Sequence, residues 1–161
     1  MSARFFTGLM LIFLLCQQDL FAQVGQVGLD WIENILENKQ VSKADSALQA
    51  QLKLAAAEGM VDSLPLYASY VGRIAGEKGG DAKGIEAVNR FVDELLKLGL
   101  PPNLNKQAFR EAAGYFEYIG ATALAYDANL KAFDWASKDP QTSFKDRGRI
   151  QNNLAAYSLY L

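Results

Sequence analysis

The chain has 161 residues, about the size of one small domain, and its 16 Lys and Arg nearly balance its 18 Asp and Glu. This balance, with no long basic run, gives no support to binding of nucleic acid or of an anionic membrane surface. The chain has no His, and its single Cys, Cys16, lies near the N-terminus, which excludes Ser-His-Asp catalysis, Cys-His catalysis and the common zinc sites within these residues. We therefore predict no catalytic residue, no metal site and no cofactor.

The first 22 residues have the order of a secretory signal. Arg4 precedes an uncharged apolar run over residues 5–15, and the small Ala22 stands just before Gln23. The run is too short to span a membrane, which takes roughly 20 apolar residues. We predict a signal peptide at 1–22 and a mature domain at 23–161, exported to the periplasm or the outside of a bacterial cell. The alternative is a buried N-terminal helix or an uncleaved anchor.

The rest of the chain shows helical periodicity, with no alternating run long enough for a strand. Trp31 is expected on the buried side of the first helix and Trp135 in the core. Ser42 is expected to cap the second helix, and Ser143 the seventh. Seven helices are predicted, over residues 28–39, 44–60, 62–75, 83–99, 105–120, 121–139 and 143–161, with a Gly-rich break over 76–81. The fold class is therefore all-α.

The fifth and sixth helices form a pattern of small and large residues. Two antiparallel helices approach closely only where small side chains face each other and a bulky neighbour fills the gap. The small positions are Ala112, Ala113, Ala125 and Ala132, the large ones are Phe109 and Phe116, and Gly120 marks the turn. This unit resembles a tetratricopeptide repeat, which implies antiparallel helical hairpins stacked as a right-handed solenoid.

The resemblance continues on both sides of this unit. A shift of about 42 residues places Leu154 and Ala155 where Ala112 and Ala113 stand, as in the extended repeats of kinesin light chains and of bacterial secreted repeat proteins. A shift of about 40 in the other direction places Ile85, and with it Val88, where small residues are usual. The alternative is a generic helical bundle with Ala-rich faces.

In the tetratricopeptide family the first helix of each hairpin lines a concave groove that holds extended peptides. The resemblance therefore implies a scaffold that binds a protein or peptide partner, with no chemistry of its own. The groove positions carried over onto this chain are Gln107, Arg110, Glu117 and Tyr118 in the nearly complete unit, and Arg149, Asn152, Asn153 and Tyr160 in the last one.

The last helix carries an apolar stripe, Ile150, Leu154, Tyr157 and Leu161, with no stop signal after it. A terminal repeat usually presents a polar outer surface, so the sequence predicts the N-terminal piece of a longer protein with its last repeat incomplete. The alternative function is then the recognition arm of a larger enzyme, foremost a caspase-like CHAT peptidase with its catalytic domain beyond residue 161. A sensor kinase, a transcription regulator and a purely structural helical domain are further alternatives.

Overall fold

The computed structural model describes residues 28–160, all of whose regular structure is helical. The predicted signal peptide and Leu161 lie outside these residues. The seven α-helices of the described chain are α1 (28–37), α2 (Val41–Ala57), α3 (Ala68–Gly79), α4 (Asp81–Lys97), α5 (Pro102–Tyr118), α6 (Thr122–Lys138) and α7 (Phe144–Ser158), and a 3-10 helix at Val61–Tyr67 precedes α3. None of the helices in this part of the chain is long and apolar enough to cross a membrane.

The chain divides into two compact units at Ser63 and Leu64. In the first unit α1 buries Leu29, Ile32, Ile35 and Leu36, and α2 buries Ala44, Ala47, Leu48 and Ala55. Trp31 was expected on the buried side of α1, but its side chain is 49% exposed. That prediction was wrong because Trp31 lies about 110° around the helix axis from the centre of the buried side of α1, beyond its edge.

The second unit consists of helices packed as neighbouring hairpins. Helix α3 packs on α4, and α5 packs on α6. Helix α5 also lies against both α3 and α4, and α7 lies against α6. The core sits where α3, α4, α5 and α6 meet, and its buried members are Ala68, Val88, Val92, Leu95, Ala108, Ala112, Ala113, Tyr115, Phe116, Ala125 and Ala128.

The alanine pattern of α5 and α6 is confirmed as core. Ala112 and Ala113 are 2% exposed, and Ala125 belongs to the same buried cluster as both of them. Ala132 is likewise fully buried in α6. Small side chains on facing helices allow this close approach, as the sequence pattern predicted.

Several predicted boundaries differ from the structure. Ser42 lies inside α2, which begins at Val41 after a Gln40 that forms no side-chain cap, so the predicted cap at Ser42 was wrong. The predicted break over residues 76–81 reduces to Gly80, because α3 runs through Gly79 and Gly80 makes the turn with φ +85°. That turn favours Gly because a side chain is strained at positive φ.

The ends of α5 and α7 also differ from the prediction. Helix α5 begins at Pro102 rather than residue 105, since proline is tolerated in a first helical turn where its missing N–H is not needed. Helix α7 ends at Ser158. Its predicted cap is confirmed, because the Ser143 hydroxyl accepts a hydrogen bond from the Asp146 amide. Trp135 is only half-buried, with the Lys138 ammonium 4.6 Å from its ring centroid.

Candidate binding face

One side of α5 is left uncovered by the hairpin packing. Because an α-helix turns 100° per residue, Gln107, Arg110, Gly114, Glu117 and Tyr118 share one side of α5, opposite the buried Ala112 and Phe116. Gln107 and Arg110 are half-buried, and Tyr118 is 61% exposed. We call the side formed by residues 107, 110, 114, 117 and 118 the α5 face.

Helix α3 borders the α5 face on one side. The Arg73 guanidinium lies 5.1 Å from the Tyr118 ring centroid and 5.8 Å from that of Tyr70. Nearby, the Ser69 side chain is hydrogen-bonded to the Glu111 carboxylate. Burial raises the pKa of Glu111, and the charge of Arg110 and this hydrogen bond partly oppose the rise. Polar contacts between α3 and α5 thus hold the edge of the face in place.

Helix α7 borders the α5 face on the other side. The Tyr157 hydroxyl donates a hydrogen bond to the Glu117 carboxylate, and burial raises the pKa of Glu117. Arg149, Asn152 and Asn153 are exposed and lie on one side of α7, because an α-helix turns 100° per residue. Residue 160, just after the end of α7, falls on the same side. Tyr160 follows α7 and is 81% exposed.

Two depressions lie at the margins of the α5 face. The Tyr118 pocket has a volume of about 600 Å³ and is lined by Arg73, Gly76, Glu77, Gly80, Asp81, Tyr115, Tyr118 and Ile119. The Tyr160 pocket has a volume of about 360 Å³ and is lined by Glu117, Gly120, Thr122, Ala125, Tyr157 and Tyr160. The neighbours Glu117 and Tyr118 therefore serve different pockets, one toward α7 and the other toward α3.

The structure brings together only some of the residues predicted from the sequence. Glu117 and Tyr160 line the same pocket, and Tyr118 lines the other. Gln107 and Arg110 line neither pocket but lie on the same side of α5 as Glu117 and Tyr118. Arg149, Asn152 and Asn153 line neither pocket, and lie along the exposed side of α7.

Sequence reasoning missed four polar groups of the Tyr118 pocket, Arg73, Glu77, Asp81 and the Tyr115 hydroxyl. Arg73 and Glu77 stand four residues apart, but the predicted third helix ended before Glu77, and only the observed extension of α3 to Gly79 puts them on one helix. Tyr115 carried no sequence signal, since it stands next to Phe116 in an apolar stretch and only the packing shows where its hydroxyl lies.

The Tyr115 side chain is an unusual part of the core. It is 1% exposed, and its ring packs 5.8 Å from that of Phe116. Its hydroxyl is buried and has no hydrogen-bond partner among the described residues. Burial, helped by the neighbouring Asp81 and Tyr118, raises the pKa of Tyr115, so that the phenol remains a hydrogen-bond donor.

Comparison with known proteins identifies no relative, because no protein-family model, no curated protein and no solved structure matches the chain. The described residues also contain no group of three or more His, Cys, Asp or Glu side chains placed to hold a metal ion. The α5 face is therefore interpreted from its own chemistry, which is that of a mixed-charge, aromatic-bearing helical surface.

Proposed function

We propose that this protein is an interaction scaffold of the tetratricopeptide type, and that its α5 face, with the exposed side of α7, binds a protein or peptide partner. The observation that carries the proposal is that α5 packs against α3 and α4 as well as α6, while the side with Arg110, Glu117 and Tyr118 stays open. A first helix that is buried on its sides and open on one face is the arrangement a groove-forming repeat requires.

The residue types on this face support peptide binding. Arg73, Arg110 and Arg149 offer planar donor groups suited to carboxylates and carbonyls, and Asn152 and Asn153 offer both donors and acceptors. Tyr118 and Tyr160 are aromatic, largely exposed and carry a polar tip, a combination enriched at protein interfaces. The mixture of Arg with Glu indicates a partner held by directional polar contacts around aromatic anchors rather than by net charge.

Site-specific photocrosslinking in the native host would test this proposal. A photoreactive amino acid replaces Tyr118 or Asn152 on the proposed face, and Leu130 as the control. Leu130 lies on α6, is 47% exposed and is apolar, so it reports unspecific contact. We expect a discrete crosslinked partner from the first two positions and none from Leu130. In the chain that carries the photoreactive group at position 152, Arg110→Glu should reduce the yield of the crosslinked partner.

The opposite result would be equally informative. Equal crosslinking from Leu130 and Tyr118, or a yield that Arg110→Glu leaves unchanged, would show that the α5 face does not select the partner. Binding of the purified partner to the purified chain must reproduce the same dependence on Arg110.

We also propose that the protein acts after export from a bacterial cell. The support is the order of Arg4, the apolar run over residues 5–15 and Ala22. Mass spectrometry of the protein recovered from its native host should find Gln23 at the N-terminus. Exported material that still begins with Met1, or retention of the protein in the cytoplasm, would contradict this proposal.

A further inference from the structure

The Tyr160 pocket places one carboxylate beside two tyrosines. Its volume is about 360 Å³, and Glu117 is the only Asp, Glu, Lys or Arg among the residues that line it. Thr122 adds a hydroxyl group, and the small residues Gly120 and Ala125 form the rest of the lining where α5 meets α6. The pocket therefore carries a negative charge and no positive one.

Local contacts restrain the two tyrosines. The Tyr157 hydroxyl donates a hydrogen bond to Oε1 of Glu117, which holds the Tyr157 side chain against α5. The Tyr160 amide donates to the Tyr157 carbonyl oxygen, 2.9 Å away, so both residues lie in one turn at the end of α7. Much of the pocket is thus ordered before a ligand enters, which lowers the entropic cost of binding.

Glu117 has no cationic partner in the part of the chain that the structure describes. Within residues 28–160, Tyr157 is its hydrogen-bond partner, and no Lys or Arg pairs with it. Burial raises the pKa of Glu117, and no nearby basic group opposes the rise. Because an opposite charge stabilises a partly desolvated carboxylate, Glu117 favours a ligand that brings a positive charge.

These features together select a cation. A carboxylate ligand would be repelled by Glu117 and would meet no basic group. An uncharged apolar side chain would pack on the tyrosines but would displace water from Oε2 of Glu117 without replacing its hydrogen bond, which is unfavourable. A cation gains from both features, because it is attracted to the face of an aromatic ring as well as to a carboxylate.

The acceptors of the pocket match an ammonium better than a guanidinium. Arg commonly binds a carboxylate through two parallel hydrogen bonds, which use both oxygens, but Tyr157 already occupies Oε1 of Glu117. A Lys ammonium is a compact charge whose three donors need not lie in one plane. Oε2 of Glu117 and the hydroxyl groups of Thr122 and Tyr160 offer it separate acceptors.

We propose that the Tyr160 pocket binds a lysine side chain of the partner protein. The ammonium donates to Oε2 of Glu117, and the rings of Tyr157 and Tyr160 stabilise its charge. This inference rests on the proposed function, which supplies the partner, and it specifies the group that the partner presents to the α7 side of the α5 face.

Three four-carbon probes that differ in charge test the site. Butylammonium, 1-butanol and butyrate are each titrated into the isotope-labelled full chain, and the backbone amide signals of Gly120 and Gly99 are followed by NMR. Gly120 lines the pocket, whereas Gly99 stands in another turn with positive φ and lines neither pocket. We expect butylammonium to shift the Gly120 signal at the lowest concentration and to leave Gly99 unchanged.

Three results of this titration would overturn the proposal. They are binding of 1-butanol or butyrate as tight as that of butylammonium, equal shifts at Gly99 and Gly120, and no concentration-dependent shift at Gly120. The first would show that charge does not select the ligand, and the other two that the pocket does not bind it.

Glu117→Gln tests the carboxylate, because it removes the charge and keeps an acceptor for the Tyr157 hydroxyl. We expect butylammonium to bind about threefold more weakly, the size of effect typical of an exposed ion pair. Glu94→Gln makes the same change on the exposed side of α4 and should leave binding unchanged. Equal binding by Glu117→Gln and the unaltered chain would refute the cation site.

Tyr160→Leu tests the aromatic ring and keeps an apolar side chain. We expect butylammonium to bind about threefold more weakly, since an exposed cation–π contact contributes a fraction of a kcal/mol to about 1 kcal/mol. Tyr118→Leu, which removes an exposed tyrosine from the other pocket, should have no effect. Unchanged binding by Tyr160→Leu would refute the role of its ring.

Short capped peptides test the choice of lysine. Acetyl-Gly-Lys-Gly-amide should shift the Gly120 signal at lower concentration than the peptides that carry Arg or Gln in place of Lys. An Arg peptide that binds as tightly as the Lys peptide would contradict the assignment to lysine. A Gln peptide that does so would refute a cation site altogether.

Failure of this inference is distinguishable from failure of the proposed function. A partner that crosslinks from positions 118 and 152, with no shift of Gly120 by butylammonium or the Lys peptide, would refute the lysine site alone. Conversely, shifts of Gly120 by both probes, while photocrosslinking finds no partner on the α5 face, would leave the cation site and refute the scaffold.

Discussion

The two hairpins of the second unit achieve close packing with different residues. In the α3–α4 hairpin the helices meet over glycine, and a Cβ atom placed on Gly84 would lie 2.8 Å from the Gly72 carbonyl oxygen. In the α5–α6 hairpin the approach is made over alanine, with Ala113 and Ala125 in one buried cluster. The first hairpin therefore brings its backbones nearer to each other than a methyl group allows.

Tyr115 explains why the first hairpin needs glycine. The Tyr115 ring, which α5 contributes, lies against α3 and α4, and Cβ atoms placed on Gly72 and Gly84 would come within 2.7 and 1.7 Å of its side chain. Gly72 also faces Val88, whose methyl group would lie 2.3 Å from such a Cβ. Val88 can therefore occupy a position where a small residue was expected, because the small residue is on the facing helix instead.

Gly84→Ala should have the largest effect. The added methyl group meets the Gly72 backbone as well as the Tyr115 hydroxyl, and a backbone cannot rotate out of the way. We expect a loss of about 3 kcal/mol in the free energy of unfolding, the upper end of the range for overpacking. A denaturant titration measures it, and the double variant with Tyr115→Phe should recover part of the loss. A stability equal to that of the unaltered chain would refute the glycine packing.

Ala125→Leu tests the alanine hairpin. Ala125 is fully buried between α5 and α6, so a larger side chain must push the helices apart or adopt an unfavourable rotamer. We expect a loss of about 2 kcal/mol, less than at Gly84 because a side chain can partly readjust. A loss larger than that of Gly84→Ala would reverse the proposed order of the two hairpins.

Gly114→Ala is the matched glycine control and should stabilise the protein. Gly114 lies within α5, and a Cβ atom placed there has no neighbour within 4 Å. The substitution removes the conformational freedom of glycine without a clash, so we expect a gain of about 0.5–1 kcal/mol. A thermal or denaturant unfolding curve that shows a loss would mean that the α5 face is covered in the protein.

Tyr115→Phe should leave the stability nearly unchanged or raise it by up to about 1 kcal/mol, because the buried hydroxyl forms no hydrogen bond that the substitution could break. Equilibrium unfolding with Tyr126→Phe as the reference variant would measure the difference. A loss of more than about 1 kcal/mol would reveal a hydrogen bond to this hydroxyl.

Glu117→Gln should have the smallest effect, and one that depends on pH. Burial raises the pKa of Glu117 in the folded protein above its ordinary value of 4.5, so the carboxyl favours folding when protonated and this advantage is lost as the pH rises through the folded pKa. The variant should therefore match the unaltered chain in acid and become relatively more stable as the pH rises from 4.5. The free energy of unfolding of both proteins is measured at a series of pH values from acid upward. A difference between them that did not change with pH would contradict this prediction.

Much of the α5–α6 hairpin could be predicted from the sequence because its packing repeats along the helix. Ala112 and Phe116 in α5, and Ala125 and Ala132 in α6, stand at intervals that match the helical period. The turn between the two helices at Gly120 has φ +71°, which favours glycine. The candidate residues Glu117 and Tyr118 came from the resemblance to the tetratricopeptide repeat. Their separate roles did not, since neighbours along the chain point toward different helices.

The sequence by itself determined that residues 28–160 are helical and roughly where each helix lies, because helical period, glycine turns and caps such as Ser143 are local properties. Only the tertiary structure decided that α3 and α4 meet over Gly72 and Gly84, that Trp31 is exposed, and that the Tyr115 hydroxyl lies unpartnered behind Gly76. These features depend on contacts between residues that are far apart in the sequence. The partner of a buried group is chosen by packing in three dimensions, and no local pattern encodes it.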